Sequence, residues 1–213
     1  MEGGCVMAKF EEFKVSGVTQ DTPKHIMLNA CTLYKNMTYD TSSSKWTGTL
    51  FGATSGGTKF SIVPEILNIA VDGVLVNAKG LVQKIGETAK IETNMIELTK
   101  DWIKSTIIGQ EGTSEDSRFD VIESKSNIED GDYIENFAVC GFYTDKTPVM
   151  IIFDFALCTS GLEVEGKNKE AAVTPATFDC YADLSDGLTD KLPYHIYIPN
   201  GTVPTALVFE DGK

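Results

Sequence analysis

Residues 46–109 read WTGTLFGATSGGTKFSIVPEILNIAVDGVLVNAKGLVQKIGETAKIETNMIELTKDWIKSTIIG, and this stretch decides the fold. It opens on a glycine-rich run, Gly52, Ala53, Thr54, Ser55, Gly56 and Gly57. Two strand-like segments follow at 59–63 and 65–71, with Pro64 marking a sheet edge or a bulge because it has no N–H to give to a ladder. Asp72-Gly73 is a two-residue turn signal, which predicts a returning strand over 74–82. Residues 86–96 then alternate apolar and polar, as a half-buried strand does. Thr99 is a good helix N-cap, Asp101 falls in the first turn, and Gly109 follows the last, so the spacing predicts a helix over about 99–108. Trp102, Ile103 and Ile107 recur on one stripe of that helix and are its candidate packing residues. The glycines do not make a phosphate loop: Gly52 is followed by Gly57-Thr58-Lys59, out of register with G-x-x-x-x-G-K-[ST], and no helix follows.

Working outward, the segment 25–37 has the apolar density of a sheet strand, 39–45 is turn chemistry rich in Asp and Ser, and 46–50 is extended again. Downstream, 110–117 reads as a polar loop, and 118–125, 134–143, 149–158, 174–184 and 192–199 read as strands. The pair 134–143 and 149–158 is the most apolar. In the second of these, Val149, Ile151, Phe153, Phe155 and Leu157 share one face by alternation, and Asp154 is the lone charge on the other. About ten strands with a turn every 8 to 15 residues, plus one helix, describe a mainly β fold. The expected architecture is a two-sheet antiparallel β-sandwich or barrel with one flanking α-helix. Residues 1–24 read as an N-terminal arm with an edge strand near 9–15, residues 25–199 as the domain, and residues 200–213 as a C-terminal tail.

The chain has 213 residues, 42% of them apolar, with 31 acidic side chains against 18 basic and a net charge of −13. Arg118 is its only arginine. Affinity for nucleic acid comes from Lys and Arg neutralising phosphates, so this surface repels DNA over most of its area. That excludes a general DNA binder and suits a wall past which DNA slides; it also keeps a protein soluble. Cys5, Cys31, Cys140, Cys158 and Cys180 contain no C-x-x-C pair, and with only His25 and His195 beside them no zinc-ligand spacing arises. Buried, reduced cysteines are expected. The N-terminal sequence lacks the basic and apolar regions of a secretion signal, and no run of about 18 apolar residues could cross a membrane. Neither histidine sits in a hydrolase pattern, carboxylate pairs are uninformative among 31 acids, and residues 183–190 (DLSDGLTD) are only distantly like a calcium loop. No catalytic residue, metal ligand or cofactor is expected.

GATSGGTKFSIVPEILNIAVDGVLVNAKGLV followed by IETNMIELTKDWIKSTIIG resembles the tail tube (major tail) proteins of long-tailed bacteriophages. In that family a G-A-T-x-G-G stretch leads to a PEI…I.VDG…KGL double strand and then an E-[LM]-T helix. The ending 176–199 is similar as well, through Phe178, Ala182, Asp186, Pro193, Ile196 and Pro199. Around the VDG turn this chain carries Leu67, Asn68, Leu75 and Asn77 where the family carries charge. The resemblance implies two packed antiparallel sheets with a flanking helix, six copies closing into rings, and rings stacking into a hollow tube in the virion tail. It implies a projecting hairpin loop at about 36–58, with Tyr39, Trp46, Gly52, Thr54, Gly56 and Gly57 as inter-subunit candidates. It implies an acidic lumen, for which Asp154, Asp179 and Asp183 are candidates. The implied partners are further copies of the chain, tape-measure, tail-terminator and tail-tip proteins, with DNA passing through unbound and no membrane. A contractile or type VI-like tube protein would share the same physics. An extracellular carbohydrate-binding β-sandwich is the alternative from another class; it predicts a planar row of exposed Trp and Tyr.

Overall fold

The computed structural model describes residues 17–166, 168–187 and 190–200, with the backbone alone of 210–211; the side chains of residues 28, 29 and 186 are outside it. The expected strand at 9–15 and most of the predicted arm and tail therefore lie outside the described residues. The fold is mainly β, an antiparallel β-sandwich with a single flanking helix.

Its strands are β1 (Met27–Asp40), β2 (Lys45–Gly52), β3 (Thr54–Asn68), β4 (Val82–Met95), β5 (Gly109–Gly112), β6 (Val121–Ser124), β7 (Ile134–Tyr143), β8 (Pro148–Cys158), β9 (Thr174–Cys180), β10 (Tyr194–Tyr197) and β11 (Glu210–Asp211), with α1 at Lys100–Ile107. Nine strands make one sheet in the order β11-β2-β1-β7-β8-β9-β4-β3, and β10 pairs with β8 off that path. β5 and β6 form a separate two-stranded sheet. All named pairings are antiparallel except β11 with β2.

The long sheet folds over on itself. Phe60 on β3 meets Phe153 on β8 (ring centroids 6.1 Å apart), and Phe51 on β2 meets Phe178 on β9 (5.9 Å), although each pair of strands is separated by others in the sheet. Between the layers lies a core of Leu33, Phe51, Ile91, Met95, Trp102, Phe137, Phe153 and Phe178, all nearly or fully buried. A second, smaller cluster of Met37, Ala138, Cys140, Met150 and Ile152 covers the other face of β1, β7 and β8. Strands β7 and β8 are buried on both sides over most of their length, which is why their sequences read as nearly unbroken apolar runs. Cys31, Cys140, Cys158 and Cys180 are buried and free, and burial pushes the Cys140 and Cys180 thiols up to about 12, so both stay neutral.

Several boundaries differ from the sequence reading. The residues following Asp72-Gly73 do not return at once as a strand: β3 ends at Asn68 and β4 starts only at Val82. Two turns intervene instead, Val74 N–H donating to Val71 O and Leu81 N–H to Ala78 O, with Gly73 and Gly80 at positive φ. Part of the expected polar loop at 110–117 is β5. Residue 184 does not extend β9, which stops at Cys180; Leu184 is largely exposed and begins a short 3-10 turn. In β8 the expected face pattern breaks at Asp154. Ile151 and Phe153 face the main core, yet so do Ala156 and Cys158, while Asn136 opposite takes the left-handed conformation (φ 45°). A local twist there switches which residues point inward, and strict alternation cannot anticipate it.

Helix α1 begins as its cap predicts, with Thr99 Oγ1 accepting the Trp102 N–H at 3.2 Å. The left-handed residue that ends it is Ile108, not Gly109. Gly109 is needed as glycine for another reason: an added Cβ would sit 2.9 Å from Ile122 Cγ2, across the β5–β6 pair. Trp102 is fully buried against Phe51 and Phe178, so Trp102→Ala should lower unfolding free energy by about 3–5 kcal/mol. Thr99→Ala, which removes only the cap, should cost about 1 kcal/mol, and urea denaturation followed by fluorescence or circular dichroism reads both.

Candidate assembly interface

The longest pairing in the molecule is β3 with β4, from Thr54↔Met95 at its root to Asn68↔Val82 at its far end. Only the root half is buried. Phe60 and Ile62 pack on the core opposite Ile91 and Ala89, but from residue 63 outward β3 is exposed on both faces. Val63, Ile66, Leu67, Val82 and Ile85 lie in that exposed half, and the tip adds Ile69, Val71, Val74, Leu75 and Val76. Leu75 is 96% and Val76 76% exposed, values that a core element never shows. A contiguous apolar patch of this kind on an isolated subunit marks a contact surface. β3 is also a terminal strand of the sheet, so its outer row of N–H and C=O groups has no neighbouring strand in the described chain. Pro64 fits that place, since an edge strand does not need every donor.

The root of the hairpin is tightly specified. Gly52 has φ 147°, and a Cβ there would overlap the Met95 Cε methyl. Gly56 and Gly57, both at positive φ, form a bulge: Thr54 pairs with Met95 and Thr58 with Thr93, so β3 carries two residues more than β4 between them. Thr54, Gly56 and Gly57 therefore belong to the base of this arm, where Gly56 and Gly57 line, with Thr58 and Asn94, a shallow groove of about 450 Å³. Tyr39 and Trp46 face one another across β1 and β2, rings 5.2 Å apart, and Trp46 continues edge-on to Tyr197 at 4.9 Å. The span 36–58 is thus the outer half of β1, all of β2 and the start of β3, closed by a short turn at 41–44. Asp40 holds that turn, accepting from Ser42 N–H and the Ser42 and Ser43 hydroxyls, which pulls its carboxyl down to about 2. The hairpin with the long exposed reach is β3–β4.

Of the acidic candidates, Asp179 points away from the core, accepts from Thr159 Oγ1 at 2.8 Å and pairs with Lys90 Nζ at 3.2 Å. Asp154 is half-buried and meets His195 Nε2 at 3.2 Å. Asp183 is exposed and caps a 3-10 turn through the Ser185 N–H. The three do not form one cluster with a shared ligand. Trp102 is wholly buried, with Ile103 packed partly against the core and Ile107 half-buried; Thr106 is the other fully buried position of the stripe, its hydroxyl donating to Trp102 O and Ile103 O. Among the described residues no group of His, Cys, Asp and Glu is arranged to hold a metal, and no helix is long and apolar enough to cross a membrane.

The exposed arm and two polar contacts escape the sequence reading. The arm's signal is present: 62–76 is apolar at most positions, interrupted only by Glu65, Asn68 and the Asp72-Gly73 turn, and does not alternate cleanly. His195–Asp154 and the Glu87 contacts join residues 41 to 107 positions apart and leave no local trace. Glu87 on β4 accepts from Lys84, from the Leu192 N–H at 3.0 Å and from Tyr194 Oη at 3.3 Å, tying the hairpin to the β10 segment. The Lys84 hydrogen bond, foremost among these, lowers the Glu87 carboxyl below its usual range. No protein-family model matches the chain, and no curated protein matches it.

A depressed carboxylate contributes stability that is complete above its unfolded value, about 4.3, and is lost as pH falls through the lower folded value. Urea midpoints should therefore decline in wild type as pH drops below about 4.3. Glu87→Gln should start from a lower midpoint at neutral pH and show a shallower decline across that same window; identical curves would remove Glu87 from the account.

Proposed function

We propose that this chain is the tail tube subunit of a long-tailed bacteriophage. Its copies close into six-membered rings, the rings stack into a hollow tube in the virion tail, and DNA passes along an acidic bore without specific binding. The observation that carries this reading is the β3–β4 arm, which bears exposed apolar residues on both strands and at its tip and whose terminal strand β3 has no neighbour on its outer edge among the described residues. A lone subunit leaves that surface in water; a neighbouring copy would cover it and complete the backbone pairing, removing an edge that otherwise invites disordered aggregation. A repeating head-to-tail contact closes into a ring when its rotation divides a circle.

The charge balance supports the second half of the reading. Many described lysines are already ion-paired, among them Lys24 to Asp21, Lys35 to Asp101, Lys59 to Glu92, Lys84 to Glu87, Lys90 to Asp179, Lys100 to Glu111 and Asp120, and Lys125 to Glu129 and Asp132. The remaining excess is carboxylate, which repels phosphate. The sequence resemblance set out above adds ring number, tape-measure, terminator and tip proteins as partners. A carbohydrate-binding module is less well supported. Its expected aromatic platform would need coplanar rings, whereas Tyr39, Trp46 and Tyr197 are inclined at 52° and 71° to one another.

Negative-stain microscopy and sedimentation of the purified chain over a concentration series test the reading: rings or tubes are expected, and a persistent monomer at every concentration would sink it. Asp154→Lys and Asp179→Lys test the bore. Each should leave ring formation intact and slow DNA delivery by reconstituted particles, the more so at low salt, where screening is weakest.

A further inference from the structure

The β3–β4 hairpin carries exposed apolar residues at both ends. At the tip stand Val74, Leu75 and Val76. At the root, Leu50 on β2 and Ile96 and Leu98 just after β4 are also exposed, and Glu97 between the last two lines, with Leu50 and Lys100, a cleft of about 300 Å³ beside the start of α1. The two patches lie at opposite ends of a 14-residue strand, so they cannot touch within one chain. We propose that the tip of one copy docks on the root of the next, and that this contact stacks the rings; the inference rests on the tube reading above and names the surface that receives the arm.

The charges agree with this occupant. Lys79 at the tip is exposed and has no ion-pair partner among the described residues, and Glu97 at the root, also exposed, has no cation. Glu97 accepts the Ala53 N–H at 3.2 Å. Docking brings Lys79 to Glu97 while the tip valines and Leu75 cover Leu50, Ile96 and Leu98. Such a contact joins two different patches, so it is heterologous, and along the hairpin direction it does not close on itself but repeats without limit. The hairpin then sets the axial period. The 23 residues from Leu75 to Leu98, at roughly 3.3 Å per residue, reach at most about 76 Å, which bounds the ring-to-ring rise from above.

Full-length Leu75→Cys and Leu98→Cys test the contact without touching the core, since both residues are exposed. Under assembly conditions and mild oxidation, an equal mixture of the two single variants should give a disulfide-linked dimer that neither variant gives alone, and the double variant should give a ladder. Lys79→Glu should raise the critical concentration for tube formation roughly three- to tenfold, and adding Glu97→Lys should restore it. Wild-type tubes without the mixed disulfide, Leu75→Cys dimerising tip to tip, or an axial repeat well above about 76 Å would each overturn the docking while leaving the tube reading standing. Wild type that never assembles would bring down both.

Discussion

Four rings hold this chain in its curled shape. Phe51 from β2, Trp102 from α1, Phe137 from β7 and Phe178 from β9 lie with centroids 4.7–5.9 Å apart and inclined at 45–79°, mostly edge to face. All are essentially buried. Without this knot a nine-stranded sheet would present one wet and one greasy face and no second layer to hide the latter. With it, β2 and β9 are drawn together, the helix seals the open side, and the sheet becomes two packed layers. The knot leaves the Trp102 Nε1 buried without an acceptor among the described residues. That unmade hydrogen bond costs about 1–3 kcal/mol, which the burial of so large a ring offsets.

The same knot explains where the fold stops burying itself. Residues near it on β4, Ala89, Ile91 and Met95, are inside; Ile85 and Val82 further along the strand are out, with no layer opposite them. The sheet grows past the reach of its own core, and the excess is the arm. Glu87 sits at that boundary, and its hydrogen bonds to Leu192 and Tyr194 lash the emerging hairpin to the C-terminal segment. An arm so anchored at its base and apolar along its length presents its surface in a fixed direction, which lowers the ordering entropy of any contact it makes.

The fold class is readable in the chain because its signals are local. Period-two alternation marks β9 from Thr174 to Cys180, the apolar pair β7 and β8 is unmistakable, and Thr99 and Asp101 place the helix start to the residue. What could not be read depends on pairs distant in sequence. Alternation cannot report the switch at Asn136 and Asp154, because both residues are ordinary and the twist is a property of two strands together. Asp72-Gly73 does form a turn, but whether a strand resumes at once or eight residues later depends on the second turn at 78–81, which Gly80 permits. The arm is the instructive case. Hydrophobicity says that Leu75 and Val76 favour leaving water; it does not say that they stay exposed in the fold, Leu75 at 96% and Val76 at 76%.

Charge and exposed apolar surface, taken together, constrain what kind of outside partner is consistent. A subunit at −13 repels its copies at a distance, and the repulsion decays within about 10 Å at moderate salt. In the proposed assembly copies would meet where charge is sparse and apolar area large, and the β3–β4 tip, with one acid and one lysine among thirteen residues from 69 to 81, is such a place. The acid excess therefore selects among contacts while it protects against indiscriminate ones. Raising salt weakens the repulsion but leaves the apolar attraction intact, so the proposed association through the arm should strengthen with ionic strength, the reverse of the trend for a partner held by the surface carboxylates.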